Sequence, residues 1–245
     1  MSKSTIIITG CEGGIGKCLV RTFIKKDYHV IGIDKKGRED CKDYNKIKFD
    51  LSKVIQNKKK THKFEQKMHS ILKNKSAVAL INNAAVQYTS ELQKVTLSQL
   101  RTSLETNVIV PFYLSKFLLK KLSANNGSII NMGSIHSHLT KPNFLPYAVS
   151  KSALNGLTKS MAVEVGREIN VIGIMPAAIR TKMLERGLKN YNINKLASYN
   201  PVNYISLPEE LAEFISMFVS KDIKYLNGSI INFDGGISSK LNDPL

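Results

Sequence analysis

Tyr147 and Lys151 lie four residues apart in the run Tyr147-Ala148-Val149-Ser150-Lys151, and in a helix that spacing puts a phenol and an ammonium on one face. Such a pair suits proton transfer. A phenol ionises near pH ~10, and bringing it to about 7 takes about 4 kcal/mol of preferential phenolate stabilisation, part of which a nearby cation supplies. Taken alone, the two residues are equally an ordinary surface pair. Thirteen residues upstream, however, Ser134 follows Gly133 and an apolar run, a placement at the carboxyl end of a strand where open α/β sheets bind ligands.

A second group of residues concerns phosphate. The stretch Thr9-Gly10-Cys11-Glu12-Gly13-Gly14-Ile15-Gly16 follows a β-branched run and precedes an amphipathic segment, so its glycines stand where a strand turns sharply into a helix. Glycines there let the backbone approach a pyrophosphate, which the free N–H groups and dipole of the helix N-terminus stabilise. A tight connection without ligand is the plainer reading, and the spacing departs from G-x-G-x-x-G. Asp34, eighteen residues beyond Gly16, closes the next strand, where a carboxylate can accept hydrogen bonds from a ribose. It is otherwise a turn aspartate.

The elements that must position these groups alternate. Strands are expected at 4–9, 28–33, 47–49, 77–81, 128–132, 170–175 and 229–233, mostly separated by helix-length segments, including helices at 15–26 and 146–167. Each strand except 47–49 is nearly all apolar, as in a parallel sheet covered by helices on both faces. Residues 181–206, rich in Asn, Tyr and Lys with weak periodicity, interrupt this series and are expected to form a substrate lid. No linker divides the chain, which reads as one domain over 1–245.

With 245 residues, 42% hydrophobic and 22% charged, the chain can bury a large core, which excludes a disordered or fibrous protein. No apolar run approaches the ~20 residues of a membrane span, and the first ten residues lack a signal-peptide pattern. A cytoplasmic location is expected. Cys11, Cys18 and Cys41 fit neither a disulfide framework nor a metal site, and no metal is expected. The net charge of +17 brings nucleic acid into consideration. Much of the excess lies in 53–75, where eight lysines face the single acid Glu65. Because Val54, Phe64, Met68, Ile71 and Leu72 can line one helical stripe, this segment reads as a solvated helix face rather than a nucleic-acid surface.

Together these motifs resemble the short-chain dehydrogenase/reductase family over nearly the whole chain. Thr9 to Gly16 is similar to the family's T-G-x-x-x-G-I-G, Asn82-Asn83-Ala84-Ala85 to its N-N-A-G, and Tyr147 to Lys151 to its Y-x-x-x-K. Asn107, Ser134 and the segment from Pro176 to Thr181 fall where that family has its structural-catalytic asparagine, catalytic serine and P-G-x-x-x-T loop. Phe233-Asp234-Gly235-Gly236 resembles its C-terminal strand ending. Ala85 and Ala177 replace family glycines and Ile172 a frequent asparagine, so the cofactor would shift if either glycine position requires φ > 0.

The resemblance implies a Rossmann-like doubly wound parallel sheet of about seven strands, in a homotetramer or homodimer. It implies a catalytic set of Asn107, Ser134, Tyr147 and Lys151, in which Lys151 also binds the nicotinamide ribose and Asn107 holds a water leading to solvent. Cofactor contacts are implied at Gly10, Gly14, Ile15, Gly16, Asp34, Asp50, Leu51, Asn83, Ala84, Pro176, Ile179 and Thr181, besides Tyr147 and Lys151. Asp34 points to NAD over NADP, against the basic Lys35, Lys36 and Arg38 nearby. The expected reaction interconverts a secondary alcohol and a ketone on a small molecule, the Tyr and Asn content of 181–206 leaning toward a polar, hydroxylated one. Gln87, Tyr88, His136, His138 and Asn143 are candidates to line its pocket. A 3-oxoacyl thioester reductase, an extended-branch epimerase and a noncatalytic NAD-binding regulator are the alternatives, and no nucleic acid or membrane partner is expected.

Overall fold

The β-branched run Thr5–Thr9 forms the central strand β1, every residue of it buried. Around it lie β2 (His29–Asp34), β3 (Asn45–Lys48), β4 (Ala77–Asn82), β5 (Ser128–Met132), β6 (Asn170–Pro176) and β7 (Ile230–Phe233). All seven pair in parallel in the order β3-β2-β1-β4-β5-β6-β7. This computed structural model describes residues 3–37, 44–54, 56–182, 184–185, 192–221 and 223–241. Arg38, Cys41 and positions 183 and 186–191 of the expected lid lie outside the described residues.

Parallel strands need crossovers, and the helices supply them. They are α1 (Gly14–Lys25), α2 (Lys58–Leu72), α3 (Leu97–Leu104), α4 (Val110–Ser123), α5 (Leu145–Val165), α6 (Ile193–Ser198) and α7 (Pro208–Ser220). Alternation along β1 sorts the core into two layers: Ile7 joins Phe64, Met68, Leu114 and Leu118 on one face, while Ile6 and Ile8 join Leu19, Phe23, Leu211 and Ile215 on the other. That two-sided burial explains the unbroken apolar strands. β7, at the sheet edge, is an exception, half-exposed despite its apolar sequence. No helix among the described residues is long and apolar enough to cross a membrane.

Helix α2 buries Phe64, Met68 and Leu72, and Tyr113 of α4 donates a hydrogen bond to its lone acid, Glu65, at 2.6 Å. Its lysines point away from the core. Val54 departs from the expected stripe: it ends a short turn capped by Asp50, before α2 begins at Lys58, and reaches the core from there. Asn57, whose side chain accepts from the Lys60 N–H, starts the helix three residues later than Val54.

Inside the sheet, a file of amides ties the strand ends to α5. Asn82 Nδ2 donates to Asn131 Oδ1, and Asn131 Nδ2 donates to Thr158 Oγ1, both at 2.9 Å and fully buried. These bonds cross from β4 through β5 into the helix that carries Tyr147 and Lys151. We expect Asn131→Ala to destabilise the chain by roughly 3 kcal/mol, since it strands the buried Asn82 donor and opens a cavity. Urea unfolding measures this, and a loss below about 1 kcal/mol would show the file to be dispensable.

Candidate active site

Strand β5 delivers Ser134 two residues past its end, in extended backbone and almost fully buried. Helix α5 brings Tyr147 from its first turn to the same place, and the Ser134 hydroxyl hydrogen-bonds the phenol. Burial raises the Tyr147 pKa, and the bond to Ser134 opposes that shift. Lys151, one turn on, is only 2% exposed, and burial lowers it to about 8.

Tyr147 and Lys151 do share a face, with the ammonium 5.6 Å from the phenol ring centroid. No hydrogen bond joins the ammonium to the phenol oxygen, whose partner is Ser134. Lys151 Nζ donates to the Met132 carbonyl of β5 at 2.6 Å, which fixes the ammonium at the strand end. Asn107 sits in the π-helical turn Glu105–Ile109 between α3 and α4. Its Oδ1 accepts from Val86 N–H, and its Nδ2 donates to Val86 C=O and to Ser150 Oγ, each at 2.9 Å. Asn107 thus joins the loop after β4 to the residue before Lys151, a link in which Ser150 is a partner the motif reading passed over.

The expected phosphate loop has the geometry of a cradle. Gly10 adopts φ +68°, and a Cβ there would come within 2.9 Å of the Ala84 backbone. A Cβ on Gly14 would meet the Thr181 methyl at 2.8 Å, and one on Gly16 would collide with the Gly10 carbonyl, so all three glycines are required sterically. Helix α1 starts at Gly14 with no side-chain cap and no acid in its first turn, leaving its first N–H groups, including those of Ile15 and Gly16, available to an anion. A nucleotide pyrophosphate fits that donor set. Across the sheet, Thr9 Oγ1 accepts from Asn83 and Ala84 N–H at 3.0 and 2.9 Å, and Asn83 Nδ2 donates to the Thr9 and Gly10 carbonyls at 2.9 and 3.2 Å.

Asp34 ends β2 beside this loop and accepts from Glu12 N–H and Lys36 N–H, both at 2.9 Å. Other expected contacts are placed less directly. The Asp50 carboxylate caps its own turn through Ser52 N–H and Oγ, and Leu51 and Ile179 bury their side chains in the core. Pro176 closes β6, and Thr181 five residues on approaches Gly14.

Around the substrate side, His136 stacks on Phe144 with centroids 4.4 Å apart and meets Tyr147 edge-on at 5.7 Å. Its Nδ1 shares a hydrogen bond with Thr140 Oγ1 at 3.0 Å. Asn143 takes φ +73°, and its carbonyl accepts from Ser90 N–H at 2.9 Å, joining the loops after β4 and β5. Gln87 and His138 are exposed and Tyr88 half-buried. The segment expected as a lid has a closed neck, since Arg180 N–H donates to the Ser206 carbonyl at 2.9 Å. No group of three or more His, Cys, Asp or Glu among the described residues is arranged to hold a metal.

A profile of the short chain dehydrogenase family matches residues 4–192. The chain belongs to that family of oxidoreductases. It is 28% identical over 242 residues to the 3-oxoacyl-(acyl-carrier-protein) reductase of Buchnera aphidicola subsp. Acyrthosiphon pisum (strain APS), covering 97% of this chain and 98% of the relative. Over 165 residues it is 29% identical to gluconate 5-dehydrogenase of Gluconobacter oxydans (strain 621H), covering 66% and 64%. Among solved structures, 4-hydroxyisoleucine dehydrogenase complexed with NADH superposes with a TM-score of 0.87 at 27% identity, over 98% and 100% of the two chains. Ligand-free aldohexose dehydrogenase of Thermoplasma acidophilum shares the fold, with a TM-score of 0.89 at 23% identity over 99% and 97%. The two alanines at family glycine positions cause no strain, because neither Ala85 nor Ala177 has positive φ.

Burial, reinforced by Lys141, lowers His136 from its ordinary 6.5 to about 4. Between those values the unfolded chain takes up a proton that the folded chain refuses. The stabilisation is therefore complete above pH 6.5 and is lost as pH falls toward 4. His136→Phe should flatten the fall of Tm with acidification across that window in scanning calorimetry. An unchanged slope would assign the acid sensitivity to other groups.

Proposed function

We propose that the chain is an NAD(H)-preferring oxidoreductase that interconverts a secondary alcohol and a ketone on a small, polar, hydroxylated substrate. The convergence of the Ser134 hydroxyl, the Tyr147 phenol and the Lys151 ammonium at the carboxyl end of β5 carries this reading. A nicotinamide dinucleotide held by the loop from Gly10 to Gly16, Asp34, Asn83, Ala84 and Thr181 supplies the hydride chemistry. Ser134 holds the substrate oxygen. Tyr147, protonated at neutral pH because burial raises it, gives that oxygen a proton in reduction and removes it in oxidation. Lys151, lowered to about 8, can return a proton to the phenol or move from the Met132 carbonyl to a cofactor ribose. Asn107 positions this pair by bonding Ser150.

The segment beyond Arg180 acts as a lid over the substrate in this reading, tied at its base by the Arg180 bond to Ser206. Exposed apolar side chains on α4 and α5, Phe112, Val149 and Val163, support self-association as a dimer or tetramer. Asp34 supports NAD, because its carboxylate suits ribose hydroxyls and repels a 2′-phosphate.

A second reading, a 3-oxoacyl thioester reductase, is favoured by the full-length similarity to the Buchnera enzyme. Following nicotinamide absorbance with polyols, hydroxyketones and an acetoacetyl thioester, each with both cofactors, separates the two. We expect the highest kcat/KM for a hydroxylated substrate with the NAD pair. A higher value for the thioester with NADPH would move the assignment to the second reading. Tyr147→Phe should cut turnover by at least about 100-fold while leaving the NADH dissociation constant within a few-fold. Substantial residual turnover would remove Tyr147 from the proton-transfer role.

A further inference from the structure

The proposed phosphate loop contains an acid, and its side chain is held by cations from two elements. Glu12 pairs through Oε1 with Lys46 Nζ of β3 and through Oε2 with Lys17 Nζ of α1 at 3.3 Å. Tyr44 O–H donates to the same Oε1 at 3.4 Å. The two lysines draw the Glu12 carboxyl below the ordinary carboxylate range, with Lys46 the largest cause. Lys46 is a strand lysine whose side chain is 1% exposed, an arrangement that charge tolerates only against a counter-ion.

Space has been cleared for this pair. Gly37, at φ +84°, lies against it so closely that a Cβ would collide with Lys46 Nζ and stand 3.0 Å from Glu12 Oε1. Gly32, opposite Lys46 in the sheet register, likewise leaves room for Cys11 and Tyr44. Glu12 also reaches Asp34, since its N–H donates to Asp34 Oδ2 at 2.9 Å. One residue therefore orients the proposed ribose acceptor through its backbone and occupies the neighbouring buried cation through its side chain.

We propose that Glu12 and Lys46 form a clamp that sets the choice between dinucleotides: by holding Lys46, Glu12 withholds the cation a 2′-phosphate would need and places a second carboxylate beside Asp34. This rests on the reading that the loop and Asp34 seat an adenosine ribose. Within the clamp the carboxylates of Asp34 and Glu12 balance the ammoniums of Lys17 and Lys46, with Lys35 and Lys36 exposed beyond Asp34, so a ribose with free hydroxyls meets no excess buried charge. A 2′-phosphate adds about two negative charges to it without a released partner. Removing the Glu12 charge tips the balance positive and leaves Lys46 facing a neutral amide.

The test is fluorescence titration of NADH and NADPH on the intact chain, comparing wild type, Glu12→Gln and Glu12→Gln/Lys46→Gln. Glu12→Gln is expected to tighten NADPH by roughly tenfold while NADH stays within about threefold, and the double variant to lose that gain. If Glu12→Gln shifts both nucleotides equally, the pair is only a brace for the loop and the clamp is overturned. A gain that persists in the double variant overturns Lys46 as the phosphate partner. Should Glu12→Gln fail to fold by circular dichroism, Glu12→Asp, which shortens the reach to Lys46, must shift the ratio of the two dissociation constants in the same direction. Wild type that binds neither nucleotide overturns the underlying dinucleotide reading, a result distinct from NADH binding with an unmoved ratio.

Discussion

The Thr9 hydroxyl laces together the two strand ends on which the site depends. β1 lies between β2 and β4, so the order in which strands are added reverses there, and the crevice beyond the strand ends opens at that point. Thr9 receives the N–H groups of Asn83 and Ala84, and Asn83 answers with its amide to the carbonyls of Thr9 and Gly10. These bonds satisfy backbone groups that the sheet ladder has just released and that the crevice would otherwise leave unpaired. They also fix Gly10 against the Ala84 backbone, where only a glycine has room. A ligand entering the crevice meets a preformed floor.

Behind that floor, polar groups are buried at a cost, and those nearest the site are given partners that serve position. The amide file from Asn82 through Asn131 to Thr158 locks α5 against β4 and β5. Lys151 is tied to Met132, and Asn107 to Val86 and Ser150, so the first two turns of α5 are anchored from both sides. Burial then acts in opposite directions on neighbours, raising the Tyr147 phenol and lowering the Lys151 ammonium. Two groups nearly matched in water are thereby driven apart, with the phenol above the ammonium, so a proton passes downhill from Lys151 to a Tyr147 phenolate.

Much of this was legible in sequence because it follows from steric and periodic rules. Unbroken apolar strands alternating with helices dictated a covered parallel sheet, and Gly10, Gly14 and Gly16 had to be glycines wherever such a turn occurs. Motif spacing placed Ser134 and Tyr147 together across a loop. What the sequence could not disclose were partners chosen in three dimensions. Asn131 was the polar exception in an apolar strand, a visible signal that went unread. Lys46 sat in a strand too short and polar to suggest burial, and its pairing with Glu12 spans 34 residues. Lys151 chose a strand carbonyl over the phenol, a preference set by where β5 ends rather than by helical spacing. Asp50, expected at the cofactor, also caps its own turn by holding Ser52 on Oδ1, a local role its motif position does not reveal.

The bond from Arg180 to Ser206 has an evolutionary consequence. It closes a long excursion at its base, leaving Thr181 against Gly14 and Asn200 against Gly235 as contacts between the insert and the scaffold. Doubling the length of a flexible loop costs only about 0.6 kcal/mol in closure entropy, far less than disturbing β6 or α7 would. Sequence drift can therefore accumulate in that excursion while the proton-handling frame stays fixed. Away from those contacts, changes in the length of the insert cost the scaffold little.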